Sequence, residues 1–223
     1  MLELVKTADG SNTLFNSDVG ENYHSRHGAF QESSHVFLNS GLQYYLSGHQ
    51  TNKVSILEVG FGTGLNFLIS ADFCMKNETN LDYTGIEAYP LSAEMIKKTE
   101  YDQYVSSDIW KTFHEHYPET LTRKTSLNQL CQLQIAACKL MDFSTDLLFD
   151  VLYFDAFAAI HQPEMWTDES LAHVCRFLKP GGVFVTYAIT GNLKRSMKSL
   201  GFSIEKAAGA PGKREMLRSV KLE

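Results

Sequence analysis

Residues 54–64 read VSILEVGFGTG, an apolar run that ends in an acid and continues into alternating glycines. The run is short and rich in branched aliphatic residues, which is typical of a strand buried on both faces of a parallel sheet. Gly60, Gly62 and Gly64 have no Cβ atom, so the chain can turn sharply there and a ligand can approach the main chain before a helix begins near Leu65. The stretch therefore predicts a strand, a ligand-binding loop and a helix in succession.

The spacing of the glycines narrows the choice of ligand. A dinucleotide fingerprint requires G-x-G-x-x-G, whereas this loop has G-x-G-x-G with Leu65 at the place of the third glycine. No lysine followed by serine or threonine is present to make a P-loop. The loop resembles instead the first motif of Rossmann-like S-adenosylmethionine (SAM) methyltransferases, in which the acid before the loop meets the methionine ammonium of the cofactor. A glycine turn in another kind of α/β protein is the alternative.

The composition limits the number of domains and the classes of protein to which the chain can belong. The chain has 223 residues, 43% hydrophobic and 21% charged, which suits one domain, or one domain with a small appendage. No apolar run approaches the roughly 20 residues that a membrane helix needs, and the N-terminus does not have the pattern of a secretory signal. The four cysteines form no CxxC pair and no zinc-like cluster. We expect a cytoplasmic protein with reduced thiols, no metal site and no membrane contact.

Charge is distributed unevenly along the chain. The net charge is −6, yet the segment from Arg176 to the C-terminus has ten lysines and arginines against three acids, a local charge of +7. Such asymmetry is a hint of nucleic-acid contact, although a solvated basic face on two helices is the alternative.

Strand and helix patterns alternate after residue 50, which predicts an α/β fold with a doubly wound, mostly parallel, seven-stranded sheet. The strands are predicted at 54–59, 82–87, 132–140, 150–155, 182–187, 202–206 and 214–220. The helices are predicted at 64–76, 91–100, 107–116, 164–178 and 191–200, and 101–132 has the pattern of an inserted helix pair. We expect residues 51–223 to form the catalytic domain. Residues 1–50 are predicted to be an extension packed on it, with a hairpin at Asp9-Gly10 and a helix from Gln31 to about Ser47.

Acids stand at or just beyond the ends of four predicted strands. In open α/β sheets, ligands lie beyond the carboxyl ends of the strands. Glu58 is expected near the methionine end of a SAM molecule, Glu87 at the ribose hydroxyls, Asp142 at the adenine amino group and Asp155 at the reacting centre. Each acid alone could cap a helix, and Glu87 would also suit a dinucleotide. The loop spacing and Asp142 favour SAM.

Several separate segments resemble the methyltransferase domain of the bacterial tRNA wobble-uridine enzyme MnmC and its stand-alone counterpart, usually called MnmD. They are DGSNTLFN, ENYHSRHGAFQESSHVFL, LEVGFGTGLNFL, YFDAFAAIHQPEMWTDE, VFVTYAITGNLKRSM and GAPGKREML. The glycine loop is common to SAM methyltransferases, whereas DAF followed by PEMW and then GKREM is far more particular. On these segments the chain is identified as a member of this family, with a class I SAM-dependent methyltransferase fold.

The resemblance implies an activity. The family methylates the exocyclic amine of 5-aminomethyl-2-thiouridine at the tRNA wobble position and forms 5-methylaminomethyl-2-thiouridine. No flavin oxidase domain is expected in this chain, so upstream enzymes or a separate oxidase would supply the amine. The cofactor residues implied are Glu58, Gly60, Phe61, Gly62, Gly64, Asn66, Glu87 and Asp142. Asp155, in the DAF motif, is implied to accept a hydrogen bond from the amine and orient it on the sulfonium axis.

The tRNA-binding residues are also expectations. A base in a single-stranded loop is reached by splaying it out and stacking it on aromatic rings, for which Tyr23, His24, Phe157 and Trp166 are candidates. For Trp166, packing the following helix onto the sheet is an equal alternative. Basic side chains are expected to meet phosphates of the anticodon arm. These are Lys194, Arg195, Lys213 and Arg214.

Two other functions stay open on the residues. One is a SAM methyltransferase that acts on a small-molecule amine or a protein side chain, which the acidic first part of the chain favours. The other is a binding protein without catalysis, against which the four strand-end acids argue. A monomer is the default expectation.

Overall fold

The computed structural model describes all of residues 1–223, beginning with a small antiparallel sheet. Its strands are β1 (Leu2–Lys6), β2 (Asn12–Asn16) and β3 (Glu21–Asn22). The hairpin between β1 and β2 turns at Asp9-Gly10, as predicted, and Gly10 has a φ of 88°, which suits glycine. The Asp9 carboxylate accepts hydrogen bonds from the Ser11 amide and the Thr7 hydroxyl, which fix the turn.

A helical rod over residues 29–48 follows. It consists of α1 (Ala29–Ser33), a ten-residue π-helix (Ser34–Gln43) and α2 (Tyr44–Gly48). The predicted helix from Gln31 to about Ser47 is confirmed in its extent, whereas the wide π winding was not predicted. The rod packs on the helix Leu65–Lys76 and on three strands of the large sheet, with Gly41 against the Tyr153 ring and the Val185 side chain.

The large sheet has eight strands, seven of which match the predicted ones to within a few residues. They are β4 (Lys53–Val59), β5 (Asn80–Ile86), β6 (Thr125–Ser126), β7 (Cys131–Ala136), β8 (Phe149–Phe154), β9 (Leu178–Thr186), β10 (Phe202–Ala208) and β11 (Glu215–Lys221). They lie in the order β10-β11-β9-β8-β4-β5-β7-β6. The strands β9, β8, β4, β5 and β7 are parallel, while β6 and β11 run antiparallel to their neighbours.

The strand order places the glycine loop at the functional edge of the sheet. The chain moves from β4 through β5 to β7 on one side and then returns to β8 on the other. The order therefore reverses between β4 and β8, and ligands of open α/β sheets bind at this switch point, beyond the carboxyl ends of the strands.

Helices cover both faces of the sheet. They are α3 (Leu65–Lys76), α4 (Ala93–Lys97), α5 (Ser107–Thr120), α6 (Asp168–Cys175) and α7 (Gly191–Ser199). Alternate residues of β4 enter two separate hydrophobic clusters. Ile56 joins the cluster that holds the rod, α3 and α5, whereas Leu57 joins the one that holds α6 and α7. No helix combines the length and the apolarity needed to cross a bilayer.

Two predictions about helices were wrong. Residues 101–132 do not form a helix pair, because α5 is followed by β6, which pairs antiparallel with β7. The helix predicted at 164–178 begins only at Asp168, where the Thr167 hydroxyl caps it by accepting from the Ser170 amide. Before it, Pro163–Trp166 form a short 3-10 helix.

Candidate active site

A cleft of about 1470 Å³ opens at the carboxyl edge of the large sheet. The segments that follow β4, β5, β7 and β8 line its floor and sides, and residues 16–26 of the N-terminal sheet line it as well. Ligand pockets usually measure roughly 300–1,000 Å³. The cleft therefore has room for a cofactor together with part of a second, larger molecule.

The glycine loop runs along this cleft in a conformation that demands glycine. Gly60, Gly62 and Gly64 all have φ between 53° and 83°. A Cβ atom on Gly60 would lie 2.3 Å from the Asp155 carbonyl oxygen, and one on Gly62 would lie 2.9 Å from the Tyr23 ring. The loop is thus packed on both the end of β8 and the N-terminal segment.

Phe61 lies between the first two glycines of the loop and is buried, unlike an exposed loop residue. Its side chain is buried, and its ring packs in the core against Gly85 and Phe113. Phe61 itself lines the cleft, so its assignment as a cofactor-binding residue stays a prediction.

Glu87 and Asp142 lie where the strand-end rule places them, and both line the cleft. The Glu87 carboxylate accepts hydrogen bonds from the Gly62 amide (2.9 Å) and the Tyr89 amide (3.0 Å), so it also braces the glycine loop. Asp142 is exposed at the cleft wall that follows β7, beside the half-buried Cys138.

Glu58 does not line the cleft, contrary to its predicted contact with a cofactor. Its carboxylate is fully buried and accepts hydrogen bonds from the Tyr83 hydroxyl and from Asn66 Nδ2, both at 2.8 Å. Side chains alternate along a strand, so Glu58 shares the face of Ile56 and points under α3. Burial raises the pKa of Glu58 well above its ordinary value.

Asn66, at the start of α3, connects Glu58 of β4 to Asp155 at the end of β8. Its Nδ2 also donates to Asp155 Oδ2 at 2.8 Å, so one amide group bridges two carboxyl groups. Its Oδ1 is buried and has no hydrogen-bond partner within the protein. An orphaned acceptor at a cleft wall is a position for a ligand donor.

Asp155 lies at the end of β8 and lines the cleft. Burial, the largest cause, raises its pKa to about 8, and the negative charges of Glu32 and Glu21 act in the same direction. The hydrogen bond from Asn66 and the charge of Lys213 oppose the rise. Glu21, Glu32 and Asp155 all line the cleft, and we call these three side chains the carboxylate cluster.

The Lys213 side chain is about one-third exposed, and its ammonium is paired at the cleft. Its ammonium donates to Glu32 Oε1 at 2.8 Å and lies 3.9 Å from the centre of the Tyr187 ring. Both Lys213 and Tyr187 line the cleft. The Tyr187 hydroxyl donates to the Ala156 carbonyl oxygen, next to Asp155. Lys213 therefore belongs to the surroundings of the carboxylate cluster.

The aromatic candidates separate into two groups. Phe157 lines the cleft, with its ring edge-to-face with Tyr23 at 5.2 Å. Trp166 does not line it: its Nε1 donates to the Phe157 carbonyl oxygen and its ring packs on Phe154. The assignment of Trp166 to substrate binding is thus corrected in favour of its structural alternative. His24 borders the cleft, but its ring is buried and bonded to the Thr13 hydroxyl.

Much of the C-terminal basic excess is engaged in the fold. Lys179 pairs with Asp150 and Arg218 pairs with Glu205, while Lys221 donates to two backbone carbonyls. Lys194 and Arg195 lie on α7 and Arg214 is exposed beside Lys213; none of the three lines the cleft. These three stay predictions as tRNA contacts.

Glu21, Glu32 and Tyr187 are the site residues that sequence reasoning missed. Tyr187 follows β9, a strand whose end was not searched for polar residues. Glu21 and Glu32 lie in the N-terminal extension, to which the strand-end rule does not apply. All three do fall within family-like segments, which were a signal for them: Glu21 and Glu32 in ENYHSRHGAFQESSHVFL and Tyr187 in VFVTYAITGNLKRSM.

The cleft suits SAM in shape and in charge. Eight carboxyl groups line it against three lysines and arginines, and SAM carries a sulfonium and an ammonium. The glycine backbone, Glu87 and Asp142 follow one another along the wall, as the loop, ribose and adenine positions require. No group of three or more His, Cys, Asp or Glu side chains is arranged to hold a metal ion.

Comparison with known proteins agrees with this geometry. A family model described as S-adenosyl-L-methionine-dependent methyltransferase matches residues 104–222, slightly more than half of the chain. The tRNA 5-methylaminomethyl-2-thiouridine biosynthesis bifunctional protein MnmC of Magnetococcus marinus is 30% identical over 212 residues, covering 89% of this chain and 31% of that protein. The MnmC protein of Aromatoleum aromaticum is 29% identical over 225 residues, covering 96% and 34%. The chain thus spans about a third of the length of these relatives.

A solved structure supports the fold. MNMC2 from Aquifex aeolicus superposes with a TM-score of 0.80 at 23% identity, over 99% of this chain and 70% of that one. The shared architecture covers the N-terminal sheet and the rod as well as the large sheet.

Proposed function

Because the chain belongs to the S-adenosyl-L-methionine-dependent methyltransferase family, we propose that it methylates the exocyclic amine of 5-aminomethyl-2-thiouridine at the wobble position of tRNA. The product is 5-methylaminomethyl-2-thiouridine, the nucleoside after which the relatives from Magnetococcus and Aromatoleum are named. In the transfer, the amine nitrogen forms a bond to the methyl carbon, the sulfur–methyl bond breaks, and one proton leaves the nitrogen.

The carboxylate cluster is the observation that carries the proposal. A primary aliphatic amine is mostly protonated at neutral pH and binds best where negative charge collects. Glu32 and Glu21 supply that charge beside the aromatic ring of Tyr187, and Asp155 adds to it in the fraction that is ionised at its raised pKa of about 8. A site for a neutral hydroxyl or carbon acceptor would need no such concentration of carboxyl groups.

Four parts of the chain would hold the cofactor. The glycine loop would approach it with backbone atoms, Glu87 would accept from the ribose hydroxyls, and Asp142 would accept from the adenine amino group. Asn66 Oδ1 is the free acceptor for a donor at the methionine end. When bound, SAM supplies a methyl group already activated by the positive sulfur.

Asp155 would position the amine and, in its ionised form, receive its proton. Activated methyl transfer depends on an in-line nucleophile more than on a strong base. A general base works best with a pKa near the operating pH, and burial brings the pKa of Asp155 to about 8. The bond from Asn66 Nδ2 occupies Oδ2, which leaves Oδ1 to meet the substrate nitrogen.

The rest of the tRNA would lie outside the cleft. Phe157 and Tyr23 would contact the splayed-out base, and Lys194, Arg195 and Arg214 would contact phosphates of the anticodon arm. We propose that residues 1–50 act as an extension of a catalytic domain at 51–223 and close the cleft over the cofactor. The protein would act as a cytoplasmic monomer, after enzymes that form the aminomethyl group.

Methyl transfer from labelled SAM to tRNA tests the proposal. The tRNA is taken from cells that lack this activity, and the product is identified by nucleoside mass spectrometry. We expect a methylaminomethyl-uridine product that disappears with Asp155→Asn, which keeps the hydrogen bonding but not the charge. Binding of SAM without any tRNA product contradicts the proposal.

A SAM-dependent methyltransferase of a small-molecule amine or a protein side chain is the second candidate. It is favoured by the number of C-terminal cations that are engaged within the fold. Charge reversal separates the two: Lys194→Glu combined with Arg214→Glu should abolish turnover of tRNA, whereas a small acceptor would be methylated at the same rate.

A further inference from the structure

The carboxylate cluster holds more negative charge than the protein itself compensates. Glu32 has a side chain about nine-tenths buried, yet it borders the cleft. Lys213 is the one cation paired with it, and the charges of Glu32, Glu21 and Lys213 all act on Asp155. Glu32, the buried member, pairs with one ammonium, and the half-buried Glu21 pairs with none, so the cluster attracts an incoming cation.

The surroundings of the Lys213 ammonium define a site for a primary amine. One Glu32 oxygen accepts from it at 2.8 Å, and the face of the Tyr187 ring lies 3.9 Å away. The other Glu32 oxygen accepts from the Ser25 amide at 2.8 Å, which fixes the direction of the carboxylate. A fixed carboxylate beside an aromatic face is a general recognition site for ammonium groups.

Lys213 also lies on a segment that could release it. It belongs to the glycine-containing turn between β10 and β11, where the flanking residues Pro211, Gly212 and Arg214 are exposed. Its long side chain reaches from this turn into the cleft, whereas Glu32 is anchored in α1. Of the two partners, the carboxylate is the rigid one.

We propose that Glu32 is a second amine-binding carboxylate, which holds the substrate ammonium in place of the Lys213 ammonium and delivers it to Asp155. This rests on the proposed function and deepens it, since it assigns recognition of a primary amine to a residue of the N-terminal helix. Lys213 pairs with Glu32 in the free protein and leaves when the substrate enters. Glu32 thereby selects aminomethyl-uridine over a uridine without the amine.

Substitutions of Glu32 and Lys213 are expected to change KM in different ways. Glu32→Gln removes the binding charge and should raise KM for aminomethyl tRNA about tenfold or more, with a smaller change in kcat. Lys213→Met removes the competing ammonium and should lower KM or leave it unchanged. A purely structural ion pair predicts instead that both variants are impaired alike, because each breaks the same contact.

Lys179→Met is the matched control. The pair of Lys179 with Asp150 has the same 2.8 Å separation and similar exposure, but neither residue lines the cleft. This variant should alter thermal unfolding to about the same extent as Lys213→Met and leave KM at the wild-type value.

The experiment measures kcat and KM for methyl transfer to tRNA for the wild type and these three variants, together with their unfolding temperatures. An increase of KM in Lys213→Met as large as that in Glu32→Gln overturns the proposal, and so does an unchanged KM in a folded Glu32→Gln. Absence of activity in the wild type overturns the proposed function instead. If Glu32→Gln does not fold, Glu32→Asp, which keeps the charge and withdraws it by one methylene, must show the increase of KM.

Discussion

Asp155 sits in a cleft that disfavours its charged form, because burial and two neighbouring carboxylates raise its pKa to about 8 from an ordinary value near 4. The folded protein therefore holds a proton on this group between pH 4 and 8 that the unfolded chain releases. Folding stability contributed by this group falls as the pH rises through that range. The protein keeps a costly group where the proposed chemistry requires it.

Replacing Asp155 should therefore stabilise the protein in a pH-dependent way. Asp155→Asn keeps the size and the hydrogen bonding but cannot ionise. The free energy of unfolding of Asp155→Asn minus that of the wild type should be about 2 kcal/mol larger at pH 8 than at pH 6. Each pH unit contributes at most roughly 1.4 kcal/mol to this difference. Urea denaturation at the two pH values measures this difference. A constant difference would mean that Asp155 titrates at its ordinary pKa in the folded protein.

A buried histidine at the N-terminal sheet makes the stability of the fold depend on pH in the acid range. His24 follows β3, its ring is buried against Thr13 of β2, and burial lowers its pKa to about 4. Between pH 6.5 and 4 the unfolded chain binds a proton at His24 that the folded chain does not. Stability from this group is complete above pH 6.5 and is lost as the pH falls.

His24→Gln should make this element less sensitive to acid. The glutamine amide can still bond Thr13, but it does not take up a proton. We expect the loss of unfolding free energy between pH 6.5 and 4.5 to be about 2 kcal/mol smaller than in the wild type. Chemical denaturation monitored by circular dichroism at both pH values gives the comparison, and equal losses in the two proteins would contradict the assignment.

Helices and strands could be predicted from the sequence where the pattern that marks them lies within a few neighbouring residues. Alternation of apolar runs and glycine stops located seven strands, and the strand-end rule brought Glu87, Asp142 and Asp155 to one cleft. The rule failed for Glu58 because it ignores the side-chain alternation that turns this residue under α3. It also could not find Glu32, whose role depends on contact with Lys213, 181 positions later in the chain.

At the scale of the whole molecule, the catalytic cleft joins the two ends of the chain. Glu21 accepts a hydrogen bond from the Ala158 amide, and Glu32 pairs with Lys213. The N-terminal segment, the loop that follows β8 and the turn between β10 and β11 therefore meet at the cleft. Charge counts along the sequence could not show this, because they assign Lys213 to a basic surface when it neutralises an acid of the opposite end.

The cysteines offer a practical consequence at the same scale. Cys74, Cys131 and Cys175 are buried, and only Cys138, on the cleft wall beside Asp142, is partly exposed. Partial burial and the charge of Asp142 raise the pKa of the Cys138 thiol, so alkylation there should be slow at neutral pH and faster near pH 9.

A thiol-reactive fluorophore should thus attach at one position and report occupancy of the part of the cleft that Asp142 lines. We expect S-adenosylhomocysteine to slow the labelling at least severalfold, as measured by intact-protein mass, and Cys138→Ser to abolish it. Labelling at several sites in the folded protein would contradict the described burial. The labelling rate at Cys138 thus gives a way to rank the affinities of ligands for the cleft before any tRNA is prepared.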